Sequence, residues 1–289
     1  MKKNILLLAF IVIIINVLFN FQIVIINIRN AITLFEQKIF PSLFPIMVLS
    51  PFLINYGFLN VSNFVLGPVM KKLFNTSKNS SYIFTLSIIS GFPGSAIYAK
   101  ELYKQNLVSK ADIEKIILFS HFANPIFILS IVTSKPMLVL LSHYIVNLLI
   151  GFCIKNKKTT NNDSEDIVLL PKEFFNVFIS AIKNCIETSL FILGVIIFFF
   201  MITAIFNYPI LNVILELSQG LVFLNSHIVN NRLQASLSAA LLSFGGISVH
   251  VQTMGTLSDI GIKYLPYIKA RLIHASLSYI ITYLLWTIW

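Results

Sequence analysis

Charge is scarce in this chain. Only 11% of its 289 residues are Asp, Glu, Lys or Arg, against about 25% in an ordinary soluble domain. Cysteine is nearly missing too: Cys153 and Cys185, both read as lying at or near helix ends, make no metal-ligand pattern and no disulfide framework. No G-x-x-x-x-G-K-[ST], HExxH, GxSxG or CxxC stretch occurs, and no paired Asp or His suggests an intramembrane protease. These absences argue against ATP-driven transport by this chain alone and against an enzyme. No metal and no cofactor is expected.

What is present points to a bilayer. Hydrophobic residues make up 57% of the chain and the mean hydropathy is +0.86. A soluble fold of this size could not hide that many apolar side chains. The net charge of +10 does not indicate a nucleic-acid partner, because the Lys and Arg residues are scattered between apolar runs and form no basic face. Basic cytoplasmic loops account for the same number.

A spanning helix needs about 20 apolar residues. Ile5 to Ile28, preceded by Lys2 and Lys3, reads as a first span with its N-terminus inside, too long for a signal peptide. Arg29 to Phe40 reads as a short interfacial helix, and Ser42 to Leu59 as a span carrying Pro45 and Pro51. Asn63 to Phe74 is amphipathic. Tyr82 to Ser90 is too short to cross before the Gly91-Phe92-Pro93-Gly94-Ser95 break, so a hairpin that returns to its own side is expected. Ser109, with Asp112 three residues on, starts a helix that Asn124-Pro125 interrupts, and Pro136 to Cys153 spans. After the hydrophilic stretch Lys155 to Glu173 come an amphipathic segment (Phe174 to Glu187), a span (Thr188 to Phe206), a weaker apolar segment (Ile210 to Phe223), a second glycine break at Gly245-Gly246, and a last span from Leu265 to Trp289.

The expected fold is an all-α polytopic membrane protein made of two inverted-topology repeats, each with a re-entrant helical hairpin and broken helices. Its parts are a single transmembrane domain over 1–289: a first helix at 1–29, repeat 1 at 30–154, a cytoplasmic loop at 155–172 and repeat 2 at 173–289. Ser90-Gly91-Phe92-Pro93-Gly94 is matched with Ser243-Phe244-Gly245-Gly246, and the positive-inside tendency places the two hairpins on opposite faces.

Unwound backbone beside a half-helix N-terminus suits an anion. The candidate substrate-binding residues are therefore Gly94, Ser95, Asn124, Gly245, Gly246, Ser248, His250 and Gln252, with Gly91, Pro93 and Pro125 as the hinges of the breaks. His121 lies one turn before Asn124. Lys100 and Glu101 are expected to pair with each other, and His143 and His274 to be packing or interfacial residues. No acidic residue stands out at membrane depth, so proton coupling would fall on His121 or His250.

The same stretches resemble the sporulation integral membrane protein YlbJ family, also called SpoVV. The likeness is carried by Ser90-Gly91-Phe92-Pro93-Gly94-Ser95-Ala96, His121-Phe122-Ala123-Asn124-Pro125 and Ser243-Phe244-Gly245-Gly246-Ile247-Ser248-Val249-His250-Val251-Gln252, and it continues through Tyr264 to His274. The family's lysine after the first motif is missing here. The resemblance implies nucleoside-recognition gate repeats, a cell-membrane location at the outer forespore membrane, and transport of dipicolinic acid, a small planar dianion, from the mother cell. The gate likeness also allows a homo-oligomer, a dimer or trimer. The alternatives are a transporter of a nucleoside or other small metabolite, or a structural sporulation membrane protein that transports nothing.

Overall fold

The computed structural model describes residues 2–156, 172–206 and 208–288. Most of the hydrophilic loop, including Lys157, Lys158, Asp163, Glu165 and Asp166, lies outside them, as does Trp289. The described residues form helices and connections with no strand among them, so the all-α polytopic reading is borne out.

Helix α1 (Lys2–Phe19) stops at Asn20, short of the Ile28 expected. Helix α2 (Phe21–Leu34) continues through a π-helical turn at Phe35–Ile39 into α3 (Phe40–Asn55), giving one run of 35 residues. The separate interfacial helix expected over Arg29–Phe40 is part of this rod. No breaker precedes Pro41, and the π turn falls just before the point where that proline removes a backbone donor. Arg29, Glu36 and Lys38 lie on its exposed side, while Val24, Ala31 and Phe35 are buried.

Two short helices follow, α4 (Phe58–Val65) and α5 (Gly67–Phe74), then α6 (Ser80–Ser90) and α7 (Gly94–Lys104). Helix α8 (Lys110–Phe119) opens with a capping box in which the Ser109 hydroxyl accepts from the Asp112 amide. Residues 120–124 are unwound before α9 (Pro125–Ile131), and α10 (Pro136–Cys153) follows. Helix α11 (Phe174–Phe206) is one piece of 33 residues, so the amphipathic segment expected up to Glu187 is its first half and Cys185 sits well inside it. The expected weak apolar segment is two helices, α12 (Pro209–Leu215) and α13 (Leu217–His227). Then come α14 (Asn231–Phe244), α15 (Gly246–Thr256) and α16 (Tyr264–Leu285).

Contacts between chain ends sort the helix termini onto two faces. On one face Asn55 exchanges two hydrogen bonds with the Lys172 backbone, at 3.1 and 2.8 Å. There also Asn79 reaches the Leu107 carbonyl at 2.7 Å, the Ser77 amide donates to Asp112 at 3.0 Å, and Lys100 pairs with Asp259 at 2.7 Å. On the opposite face Asn225 holds the Ile131 carbonyl at 2.7 Å, Lys135 holds Trp286 O at 2.8 Å, and Arg232 holds Tyr283 O at 2.9 Å.

These ends decide which interruptions return and which pass through. Helices α6 and α7 start and finish on the Lys100 face, so the first expected hairpin is a hairpin. Helix α14 starts on the opposite face, and the turn after α15 reaches Lys100. The second glycine break therefore interrupts a crossing helix and is not the tip of a hairpin; Asn231–Thr256 is long and apolar enough to span. The second hairpin is α12–α13, entering from the opposite face with Glu216 at its tip. The Gly91 break turns the chain back while the Gly245-Gly246 break lets it pass on, so the two differ in what they do to the chain.

Long apolar side chains cover the outside, among them Leu18 at 70%, Phe19 at 85% and Phe64 at 86% exposure. Such a surface requires lipid around it. Among the described residues four helical runs qualify by length and composition as membrane spans: Phe21–Asn55, Pro136–Cys153, Phe174–Phe206 and Asn231–Thr256. Helix α16, expected as the last span, is not among them. It turns Tyr267, Arg271, His274, Ser278 and Thr282 inward, all buried, and still runs from face to face.

The crossing of α14–α15 can be checked by labelling. With Cys153 and Cys185 replaced by Ser, a maleimide that cannot pass the membrane should reach Ser258→Cys and Asn231→Cys from opposite sides. Labelling of both from the same side would make the second break a hairpin after all.

Four interruptions meeting at one cavity

The two hairpin tips and the two helix breaks converge. A cavity of about 50 Å³ is lined by Ser90 and Phe92 from the first hairpin, Asn124 from the first break, Glu216 and Ser218 from the second hairpin, and Gln252 from α15. Leu43 of α3 and Ile192 of α11 close its remaining wall. That space holds a few waters and no molecule the size of an aromatic dicarboxylate.

Glycine makes the convergence possible. Gly91 has φ +77, and a Cβ there would lie 2.9 Å from both Cα and Cβ of Asn124, so the first hairpin tip sits directly on the first break. A Cβ on Gly246, φ +69, would lie 3.0 Å from the Leu217 amide, which seats the second hairpin tip on the second break. Gly245, φ +89, faces His121 Nε2, where a Cβ would come within 2.7 Å and so couples the two breaks.

Interrupted helices leave backbone groups without partners, and side chains supply them. Asn124 serves both sides of its break. Its Oδ1 accepts from the Ile126 and Phe127 amides at 2.8 and 3.2 Å, capping α9, while its Nδ2 donates to Ile89 O at 3.0 Å at the end of α6. Tyr144 donates towards Ile88 O and Ala123 O, both at 3.0 Å, and Asn147 donates to His121 O at 2.7 Å. Arg271 donates to Leu118 O at the C-terminal end of α8, where a cation complements the helix dipole. His250 Nε2 donates to Phe244 O at 2.8 Å and its Nδ1 accepts from Tyr264 at 2.9 Å. The Gly94 end of α7 and the Gly246 end of α15 carry no side-chain cap. Ser248 Oγ and His121 Nε2, both buried, find no protein partner.

Of the residues singled out from sequence, Asn124 and Gln252 therefore line the cavity. Gly245, Gly246, Gly91, Pro93 and Pro125 form the breaks around it. Gly94 packs against Ser90 and Tyr98; Ser95 and Ser248 are buried behind it, and His250 is committed to the end of α14. Of the two roles expected for His143 and His274 the structure gives packing: both are fully buried and their rings stack at 4.7 Å. The expected Lys100–Glu101 pair is absent, since neighbours on a helix point about 100° apart, and Lys100 instead holds the Asp259 carboxyl below the usual carboxylate range. Glu216, Ser218 and Arg271 were not anticipated. The only sequence signal for Glu216 is an acid inside an apolar segment.

A second space, a cleft of about 610 Å³, opens on the Lys100 face. Lys100, Lys104 and Lys172 line it together with Glu101, Glu187 and Asp259. Met47 and Phe191 line it, one helical turn from Leu43 and next to Ile192 of the cavity wall.

The Gly91 seat is testable. Gly91→Ala should lower the heat-unfolding midpoint in detergent well below that of Gly57→Ala. Gly57 has φ +86 but open space around it, so it carries only the left-handed backbone cost of about 1–2 kcal/mol. Gly91→Ala adds the overlap with Asn124, roughly 1–3 kcal/mol more. Equal midpoints would mean that the hairpin does not rest on the break.

Comparison with known proteins agrees with this architecture. Residues 37–139 match the Gate family, described as nucleoside recognition; the match runs from the π turn through the first hairpin and the first break into α10. The chain is 23% identical to the sporulation integral membrane protein YlbJ of Bacillus subtilis (strain 168), over 89% of this chain and 76% of that one. No solved structure matches. The chain is thus a multi-pass membrane protein, similar to YlbJ over most of its length and to the Gate family over its first hairpin and first break.

Proposed function

We propose that the protein is a transporter in spore formation that carries dipicolinic acid across the outer forespore membrane of a spore-forming bacterium. The observation that carries this reading is the convergence of two hairpin tips and two helix breaks on one cavity. Secondary transporters built from inverted repeats place their substrate sites where discontinuous helices meet. The run of α2–α3, hairpin α6–α7, broken α8–α9 and α10 has its counterpart in α11, hairpin α12–α13, broken α14–α15 and α16, with every part reversed between the two faces. The sporulation role rests on the likeness to YlbJ.

In this conformation the cleft is large enough for a small organic ligand, of the order of 300–1,000 Å³, and the cavity at the breaks is too small for one. With Lys100 held by Asp259, Lys104 and Lys172 would meet a dianion in the cleft, beside Glu101 and Glu187. Movement of the hairpin tips against the breaks would then enlarge the inner cavity, where the Ser95 amide, the amides at Gly246–Ser248 and the amide side chains of Asn124 and Gln252 meet the carboxylates.

A second cargo, a nucleoside or another neutral metabolite, is favoured by one feature: the cavity lining of Ser90, Asn124, Ser218 and Gln252 carries hydrogen-bonding groups and no cation. A purely structural role for the breaks is the third reading.

Spore dipicolinate decides among them. A deletion strain should make spores depleted of dipicolinate while free dipicolinate accumulates in the mother cell. Wild type should restore the spores. Gly245→Leu and the near-isosteric Gln252→Leu should insert in the membrane and fail to rescue. Normal spore dipicolinate in the deletion strain would remove this cargo. Full rescue by both variants would favour the structural role.

A further inference from the structure

We propose that Glu216 is the proton-binding residue of the site, a carboxyl whose protonation admits the anion to the cavity; this rests on the transport reading above. Glu216 stands at the tip of the second hairpin, 3% exposed, with its backbone packed against Gly246. Its carboxylate caps α13 by accepting from the Gln219 amide at 2.9 Å. Among the described residues no basic side chain pairs with it, and it is the only charged one in the cavity lining.

The charged and titratable groups on the neighbouring elements are engaged elsewhere or face other spaces. His250 of α15 is bonded to Tyr264 and Phe244; His121 of the first break is bonded to Tyr267 through Nδ1, and its unpartnered Nε2 faces Gly245. Glu36 and Lys38, one turn before the cavity wall, are exposed. Glu187 of α11 and Lys100 and Glu101 of α7 face the cleft, while Lys183 of α11 lies in the half that starts beside the cleft. Arg232 of α14 is held at the opposite face by Tyr283 O.

An unpaired carboxylate in a cavity with room for a few waters is strongly disfavoured, and its protonated form is not. An ionised Glu216 would also repel an incoming dianion. A proton from the water on one face, held by Glu216 while the anion is bound and released to water on the other, removes both penalties at once. The sign follows directly: the anion binds tighter as pH falls, by about tenfold per pH unit where one proton is taken up with each anion. The sequence alone points to His121 or His250 for such a role; both ring nitrogens of His250 are instead occupied by hydrogen bonds to Tyr264 and Phe244.

The test uses the full chain in lipid nanodiscs, as wild type, Glu216→Gln and Glu216→Asp. Dipicolinate binding is titrated across pH, and infrared difference spectra follow the protonated carboxyl band. The expected result is a steep pH dependence in the wild type, a similar slope displaced along the pH axis in Glu216→Asp, and a flat profile with no carboxyl band in Glu216→Gln. A Glu216→Gln protein that keeps the wild-type slope overturns the proposal. If the wild type binds no dipicolinate at any pH, the cargo reading fails, and the carboxyl band still decides the proton site. Its presence in wild type and loss in Glu216→Gln support the site; its absence from wild type overturns it.

Discussion

Backbone hydrogen bonding at membrane depth is the constraint on which the rest of this structure depends. Surrounded by lipid-facing helices, an amide or carbonyl freed by a broken helix has no water to turn to, and each one left bare costs about 1–3 kcal/mol. Four interruptions free many such groups within one small region. The polar residues that sit deep in this apolar chain are largely the answer to that demand. Asn124, Tyr144, Asn147, His250 and Arg271 each donate to a carbonyl at an interruption, and Asn124 also caps the helix that restarts. They come from helices α10, α15 and α16 and from the break itself, so these otherwise apolar helices are tied to the breaks by specific bonds.

The histidines follow from the same demand. His143 Nε2 accepts from the Ala123 amide at 2.9 Å, which leaves the proton on Nδ1 to face Ser243, and Ser243 in turn donates to Ser278 at 2.8 Å. His274 Nε2 donates to His143 O at 2.9 Å, so its Nδ1 accepts from Arg271. Each ring is thereby fixed in a neutral tautomer by a carbonyl or an amide. Buried histidine at membrane depth is a site candidate by default. Here that default misleads for His143, His250 and His274, because their ring nitrogens are already used in holding the broken helices in place.

What could be read in the sequence was whatever leaves a local mark. The hairpin at Gly91 to Ser95, the break at Asn124-Pro125, the helix Pro136–Cys153 and the Ser109–Asp112 cap all depend on glycine, proline or a short side-chain loop, and each lies where it was expected. Pairing between distant parts leaves no such mark. A glycine break looks the same whether the chain turns back or passes on, and only the approach of Asp259 to Lys100 shows that α14–α15 crosses. The second hairpin has neither glycine nor proline at its tip, only Leu215-Glu216-Leu217, so it reads as one apolar segment. The inward stripe of α16 leaves no local mark for a related reason: only the packing of α16 against α10 and α14 buries Arg271 and His274.

Arg271 and Glu216 are both buried beside the breaks and differ in what surrounds them. One guanidinium nitrogen of Arg271 holds the end of α8, another meets His274, and the face of Tyr267 lies 5.5 Å away. The C-terminal dipole of α8 and the aromatic ring serve as its counter-charge. Its charge is fixed in place, and its work is structural. Glu216 sits at a tip with free space in front of it and the hinge glycine Gly246 behind it. Moving the second hairpin by even an ångström or two would change how much water its carboxyl meets, whereas the same motion would leave Arg271 buried. Of the two, only Glu216 is placed so that a change of protonation and a change of hairpin position drive one another.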